Sequence, residues 1–262
     1  MVSQTVLNLM IEMACLSFIL PIFCAVVWKV RTKKSIVPVF TGMMIFVMFG
    51  IVFKSVPNMV FTASDNPVSK FITGNTWAYA LYAGLAAGIL EEVGRYVAYK
   101  IFIPRHDYKE TAISYGIGHG GIECMIVLGF SQIQNFMYAQ LINAGQMDEI
   151  YETLPDENSV NFFKDMVERI CNVTAAECIW GGIERVAVFA FQIALSVLVF
   201  YAATEYGKKY YLLIAIAIHT FIDIFAALYQ LEILPLAVTE IIIIIFAVAT
   251  SVFAYKKYRE IY

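Results

Sequence analysis

EIIIIIFAVATSVFAY, residues 240–255, opens on one carboxylate and then runs fifteen residues without a charge. Such a run is too long for a tilted barrel strand and shows no apolar–polar alternation. It reads as a helix, the form that satisfies its own backbone groups in lipid. IALSVLVFYAA, residues 193–203, has the same character.

The rest of the chain extends the pattern. Its 262 residues are 60% hydrophobic and 15% charged, with a mean hydropathy of +0.72. Soluble domains carry roughly 25% charged residues. Several windows are long enough to cross a bilayer core, for which about 20 apolar residues suffice. The sequence therefore predicts an all-α, polytopic transmembrane bundle in a cell membrane, with the lipid bilayer as its first partner and no nucleic-acid partner. One membrane domain over 1–262 accounts for the whole chain.

Seven spans are expected, at about 5–28, 36–53, 76–99, 111–138, 181–204, 210–231 and 235–255. The first lacks a basic leader and reads as a retained helix rather than a cleaved signal. Basic residues gather after the first span (Lys29, Arg31, Lys33, Lys34) and after the third (Lys100, Arg105, Lys109). They gather again after the fifth (Lys208, Lys209) and the seventh (Lys256, Lys257, Arg259). Seven spans place all four clusters on one face, which the positive-inside rule makes cytoplasmic. The amino terminus is then outside and the carboxyl terminus inside.

Segment 139–180 falls outside the cell on this topology. It is acidic, and its second half, VNFFKDMVERICNV, spaces apolar residues as an amphipathic helix that lies on the membrane or caps the bundle. Among the cysteines at 15, 24, 124, 171 and 178, Cys171 and Cys178 share this segment and either pair or remain free thiols.

Ionisable residues inside spans are costly and normally face the bundle interior, so each is a functional candidate. Span three carries Glu91, Glu92 and Arg95, span four His119 and Glu123, and span six His219 and Asp223. Each His–carboxylate pair is four residues apart, on one helical face. Counted from the cytoplasmic ends, the glutamates and both histidines lie roughly 12–14 Å deep at 1.5 Å per residue. Taken singly, Glu91 and Arg95 can be a packing ion pair, and each His a hydrogen-bonded packing residue. Their shared layer points to one site. Gly84 and Gly88, and Gly116, Gly118, Gly120 and Gly121 around His119, are small residues that let helices approach closely.

Imidazole and carboxylate donors suit a divalent metal, Zn2+ best among them. His119, His219 and a carboxylate, Glu123 or Asp223, supply a ligand set from separate helices. Glu91 or Glu92 is left to take a proton from water, and Arg95 to hold a glutamate or steady developing charge. Glu123 is either a metal ligand or a partner that orients His119.

EEVGR, GHGGIE and HTFID, in that order, resemble the YhfC-like membrane peptidases, distant relatives of the CAAX prenyl protease and bacteriocin-processing (Abi) superfamily. The resemblance covers nearly the whole chain. It implies an intramembrane metalloprotease that cleaves a membrane protein or peptide, with Glu91 as base, His119 and His219 at the metal, and Asp223 beside them. The CAAX pattern has three residues between its glutamates and Arg, whereas only Val93 and Gly94 intervene here. That spacing pairs Arg95 with Glu91 and leaves Glu92 freer. Gln192 stands where relatives often carry His. Glu184, near the outer end of span five, is too far from the inner layer and is expected in a structural pair near Arg185. A proton-coupled transporter and a non-catalytic binding or immunity protein on the same scaffold are the alternative readings; no internal repeat favours the transporter.

Overall fold

The computed structural model describes residues 1–103, 108–204 and 207–261; Arg105 of the basic clusters lies outside them. Of the described residues, 86% are helical and none lies in a strand. In order, the helices are α1 (Gln4–Thr32), α2 (Val37–Ala63), α3 (Pro67–Gly74) and α4 (Thr76–Val97). Then come α5 (Glu110–Asn143), α6 (Met147–Glu152), α7 (Glu157–Asn172), α8 (Ala175–Ala203), α9 (Tyr210–Gln230) and α10 (Leu236–Tyr258).

Six of these, α1, α2, α5, α8, α9 and α10, are long and apolar enough to cross a membrane. The chain is a multi-pass membrane protein. α4, at 22 residues, has the length of a span, but its apolar character is diluted by Glu91, Glu92 and Arg95. Helix α2 runs ten residues past the end expected from sequence, through Lys54 and Pro57. A charge ends a hydropathy window, but it does not break a backbone hydrogen-bond ladder. Two π-helical stretches, Phe46–Phe53 and Met59–Ala63, widen α2.

Helix α10 shows how the side chains are sorted. Ile241, Ile245, Val248, Val252 and Tyr255 are exposed along one stripe. Thr239, Glu240, Ile243, Ala247, Thr250 and Ala254 are buried along the other. Large apolar groups outside with small and polar ones inside is the reverse of a soluble helix, and an exposed apolar stripe of this length is a lipid-facing surface.

The chain divides into two compact units. The first comprises residues 1–20 and 124–185. Its core joins Val2, Val6, Leu7 and Met10 to Ala139, Ile170 and Cys178, with Met166 packed alongside. The amphipathic helix expected over 160–173 is α7, and it caps this core through Met166 and Ile170. Asp156 starts it, accepting the Ser159 backbone N–H at 2.8 Å. That bond, with a second from the Ser159 hydroxyl, holds the Asp156 carboxyl below the usual range. Thr174 and Glu177 form a reciprocal capping box at the head of α8. Cys171 and Cys178 are free thiols, as are the other three cysteines.

The second unit comprises residues 21–123 and 186–262. Helix α4 packs along α9, and glycines set their separation. A Cβ at Gly84 would lie 2.5 Å from the Thr220 carbonyl oxygen, and one at Gly88 2.9 Å from the Thr220 nitrogen. Helix α5 is clasped from several sides: Gly118 lies against the Val39 backbone of α2, and a Cβ at Gly116 would meet Ile193 Cα of α8 at 2.6 Å. Trp28 Nε1 donates to Ser114 Oγ at 3.0 Å and ties α1 to the start of α5.

Candidate metal centre

The close packing of α4, α5, α8 and α9 buries a polar layer. Glu91, Glu92, Arg95, His119, Gln192, Ser196 and His219 all have less than a tenth of their surface exposed. Glu91 stands at its centre. Its Oε2 lies 3.1 Å from Nε2 of His119 and 3.9 Å from Nε2 of His219. A carboxylate oxygen of Glu123, one turn beyond His119, completes a cluster with Glu91 and His119 whose ligand atoms are all within 4.8 Å of one another.

Helix α9 contributes the second histidine. Nδ1 of His219 is 2.7 Å from Glu92 Oε1, and its Nε2 is 3.8 Å from Asp223 Oδ2. Asp223, a third exposed, forms the open edge of the group. The rings of Phe46 and Phe191 meet His119 and His219 edge-on, with centroids 5.2 and 5.9 Å away, and leave each imidazole little freedom to turn.

Arg95 corrects the expected pairing. Its Nε lies 3.2 Å from Glu92 Oε2, three residues back, and not on Glu91. Both i,i+3 and i,i+4 neighbours share a helix face, so spacing alone does not choose between them. The choice is made by α8. Arg95 Nη1 donates to the Gln192 carbonyl at 2.7 Å and to Ser196 Oγ at 2.5 Å, and Nη2 donates to Gln192 Oε1 at 2.6 Å. With the guanidinium drawn that way, Glu92 is the carboxylate within reach, and Glu91 turns to His119. Gln192 thus holds Arg95.

Glu184 lies in the first unit, paired with its neighbour Arg185. Three residues of the layer were not foreseen from sequence. Tyr115 places its hydroxyl 3.5 Å from Nδ1 of His119. Ser196 takes up Arg95, and Tyr99 donates to the Ser196 carbonyl oxygen at 3.1 Å. The signal was available for two of them, since Tyr115 precedes His119 and Ser196 follows Gln192 by one helical turn.

The fold and this layer define a class: a multi-pass α-helical membrane protein with a buried glutamate–histidine–arginine centre. The chain matches the YhfC intramembrane metalloprotease family over residues 16–244, and it belongs to that family. It is 30% identical, over 262 residues and the full length of both chains, to the uncharacterized membrane protein YhfC of Bacillus subtilis (strain 168). No solved structure matches it. The family name implies a divalent metal, and the buried donors are of the kind such an ion takes.

Proposed function

We propose that the protein hydrolyses a peptide bond of a membrane protein or membrane-associated peptide. The observation that carries this reading is Glu91 Oε2, buried and facing Nε2 of both His119 and His219. In this reading His119, His219 and Glu123 hold the metal, with Asp223 beside His219, and two imidazoles with carboxylates suit Zn2+. Once bound, the ion supplies a Lewis acid that polarises the peptide carbonyl and makes water more acidic.

The chain's own residues do the rest. Glu91 takes the proton from the attacking water and returns it to the leaving amine. A Cβ at Gly50 would sit 3.2 Å from Glu91 Oε1, so the glycine keeps that oxygen clear. Glu92 accepts from Nδ1–H of His219, which fixes the tautomer and turns Nε2 inward. Arg95, held by Gln192 and Ser196, keeps Glu92 in that position. The amino terminus is outside and the site lies in the cytoplasmic half of the bilayer.

Metal analysis of the purified protein, alongside cleavage of a quenched-fluorescence apolar peptide in lipid nanodiscs, tests the reading. About one divalent ion per chain and chelator-sensitive cleavage are expected. Solute flux into liposomes without peptide cleavage would instead identify a transporter.

A further inference from the structure

Helix α2 carries a cation that the proposed mechanism does not use. Lys54 stands well inside this spanning helix, far from both Val37 and Ala63. The exposure pattern shows which way it faces. Ile51, Val52, Phe53, Val56, Met59 and Val60 are exposed, whereas Gly50 is buried and Lys54, Pro57 and Asn58 are half-buried. Lys54 therefore lies on the packed side of α2, not on its lipid stripe.

Two contacts fix what that side meets. Gly50 abuts Glu91 Oε1, and Asn58 accepts a hydrogen bond from the Tyr82 hydroxyl at 2.7 Å. Glu91 and Tyr82 both belong to α4. They lie nine residues apart on α4, and the residues that they meet, Gly50 and Asn58, lie eight apart on α2 in the opposite order, so the two helices face each other along one antiparallel lane. Lys54 sits midway on this lane, four residues past the Gly50 that abuts Glu91. It is near enough for its charge to act on Glu91. Among the described residues no hydrogen bond or ion pair holds its ammonium, and Glu91 itself is engaged by histidine. An unpaired ammonium inside a span is costly and calls for a partner.

We propose that Lys54 is a carboxylate-binding subsite for the peptide substrate, four residues along α2 from the contact with Glu91. The class of ligand rests on the peptidase reading above. Four helical residues advance about 6 Å at most, the reach of roughly two extended residues. The recognised carboxylate therefore lies within about two residues of the cleaved bond. It is either the α-carboxylate of a chain end or an Asp or Glu side chain. Lysine, a point charge on a flexible stem, accommodates both geometries.

Equilibrium binding separates these cases without requiring turnover. The full-length protein in nanodiscs is titrated with fluorescein-labelled apolar peptides in two matched pairs, C-terminal acid against amide and internal Glu against Gln. Wild type is expected to bind the acidic member of one pair about tenfold more tightly, the lower end for a hydrogen bond to a charged group. Lys54→Met should abolish that ratio and Lys54→Arg should keep it, with the neutral peptide bound equally by all three. The pair that responds identifies which carboxylate is read. Should Met disturb the fold, Lys54→Gln serves the same comparison. An equal ratio in wild type and the neutral variant overturns the proposal, as does wild type with no acidic preference or no binding. Cleavage is followed in the same samples. A Lys54-dependent preference with no peptide cut leaves the subsite standing and removes the peptidase reading.

Discussion

Nδ1 of His219 and Oε1 of Glu92 lie 2.7 Å apart, both buried. With Nδ1 turned to Glu92, Nε2 is the nitrogen that faces Glu91 and Asp223. A carboxylate behind an imidazole raises its basicity and fixes its orientation. Glu92→Gln keeps the shape and an acceptor but removes the charge. It is expected to weaken metal binding by about 10–100-fold. Competition with a chromogenic chelator measures it, and unchanged affinity would remove Glu92 from this role.

Glu91 and His119 should separate chemistry from metal retention. Glu91→Gln is expected to lower peptide cleavage by about 10²–10⁴-fold, the usual contribution of a general base. The metal content should stay close to that of wild type. His119→Ala is expected to lose both. A Glu91→Gln protein that loses its metal as completely as His119→Ala would make Glu91 a ligand rather than the base.

Arg95→Lys tests the link to α8. Lysine keeps the charge beside Glu92 but has no planar fork to reach Gln192 and Ser196 together. Glu92 should loosen, and cleavage and metal affinity should fall together. Arg95→Met removes the charge and leaves Glu92 buried without it, a loss that typically costs about 3–5 kcal/mol. Thermal unfolding in detergent should rank the proteins wild type, Arg95→Lys, Arg95→Met. Equal melting of the two variants would mean that charge contributes nothing here.

The sequence carried the helical class, most of the spans and the grouping of Glu91, His119 and His219, because hydropathy and helical period are local properties. It did not carry the partner of Arg95. That choice depends on Gln192 and Ser196, which lie about a hundred residues away and approach only in the folded bundle. Lys54 was missed for a related reason. A charge at the edge of an apolar window reads as the end of a span, and only the continuous helix to Ala63 shows it to be inside one. The glycines around His119 signalled close approach. Which helices they meet, α2 at Gly118 and α8 at Gly116 and Gly120, is a property of the packed structure.

Topology offers an independent test of the layer's depth. With the amino terminus outside, alkaline phosphatase fused after Gly145 should be active, and fusions after Lys33 or Tyr258 inactive. These sites lie in the connection after α5, the connection after α1 and the end of α10. The positive-inside bias at Lys29, Arg31, Lys33 and Lys34 is the reason for the expected sign. Activity after Lys33 would invert the molecule and place the glutamates in the outer half of the bilayer.

Gly118 and Gly181 provide a matched pair for the packing argument. Gly118 abuts the Val39 backbone, which cannot move aside as a flexible side chain does, so an added methyl must push α2 and α5 apart. Gly181 has as its nearest neighbour a Leu128 methyl, 3.7 Å from the Cβ position, an ordinary van der Waals contact. Gly118→Ala is expected to destabilise by about 1–3 kcal/mol, the usual range for overpacking. It should also impair cleavage, because His119 is the next residue. Gly181→Ala should be neutral or slightly stabilising, since Ala is the better helix former. Melting temperatures in one detergent decide the matter: equal values for the two variants would show that α2 and α5 do not pack backbone to backbone at Gly118.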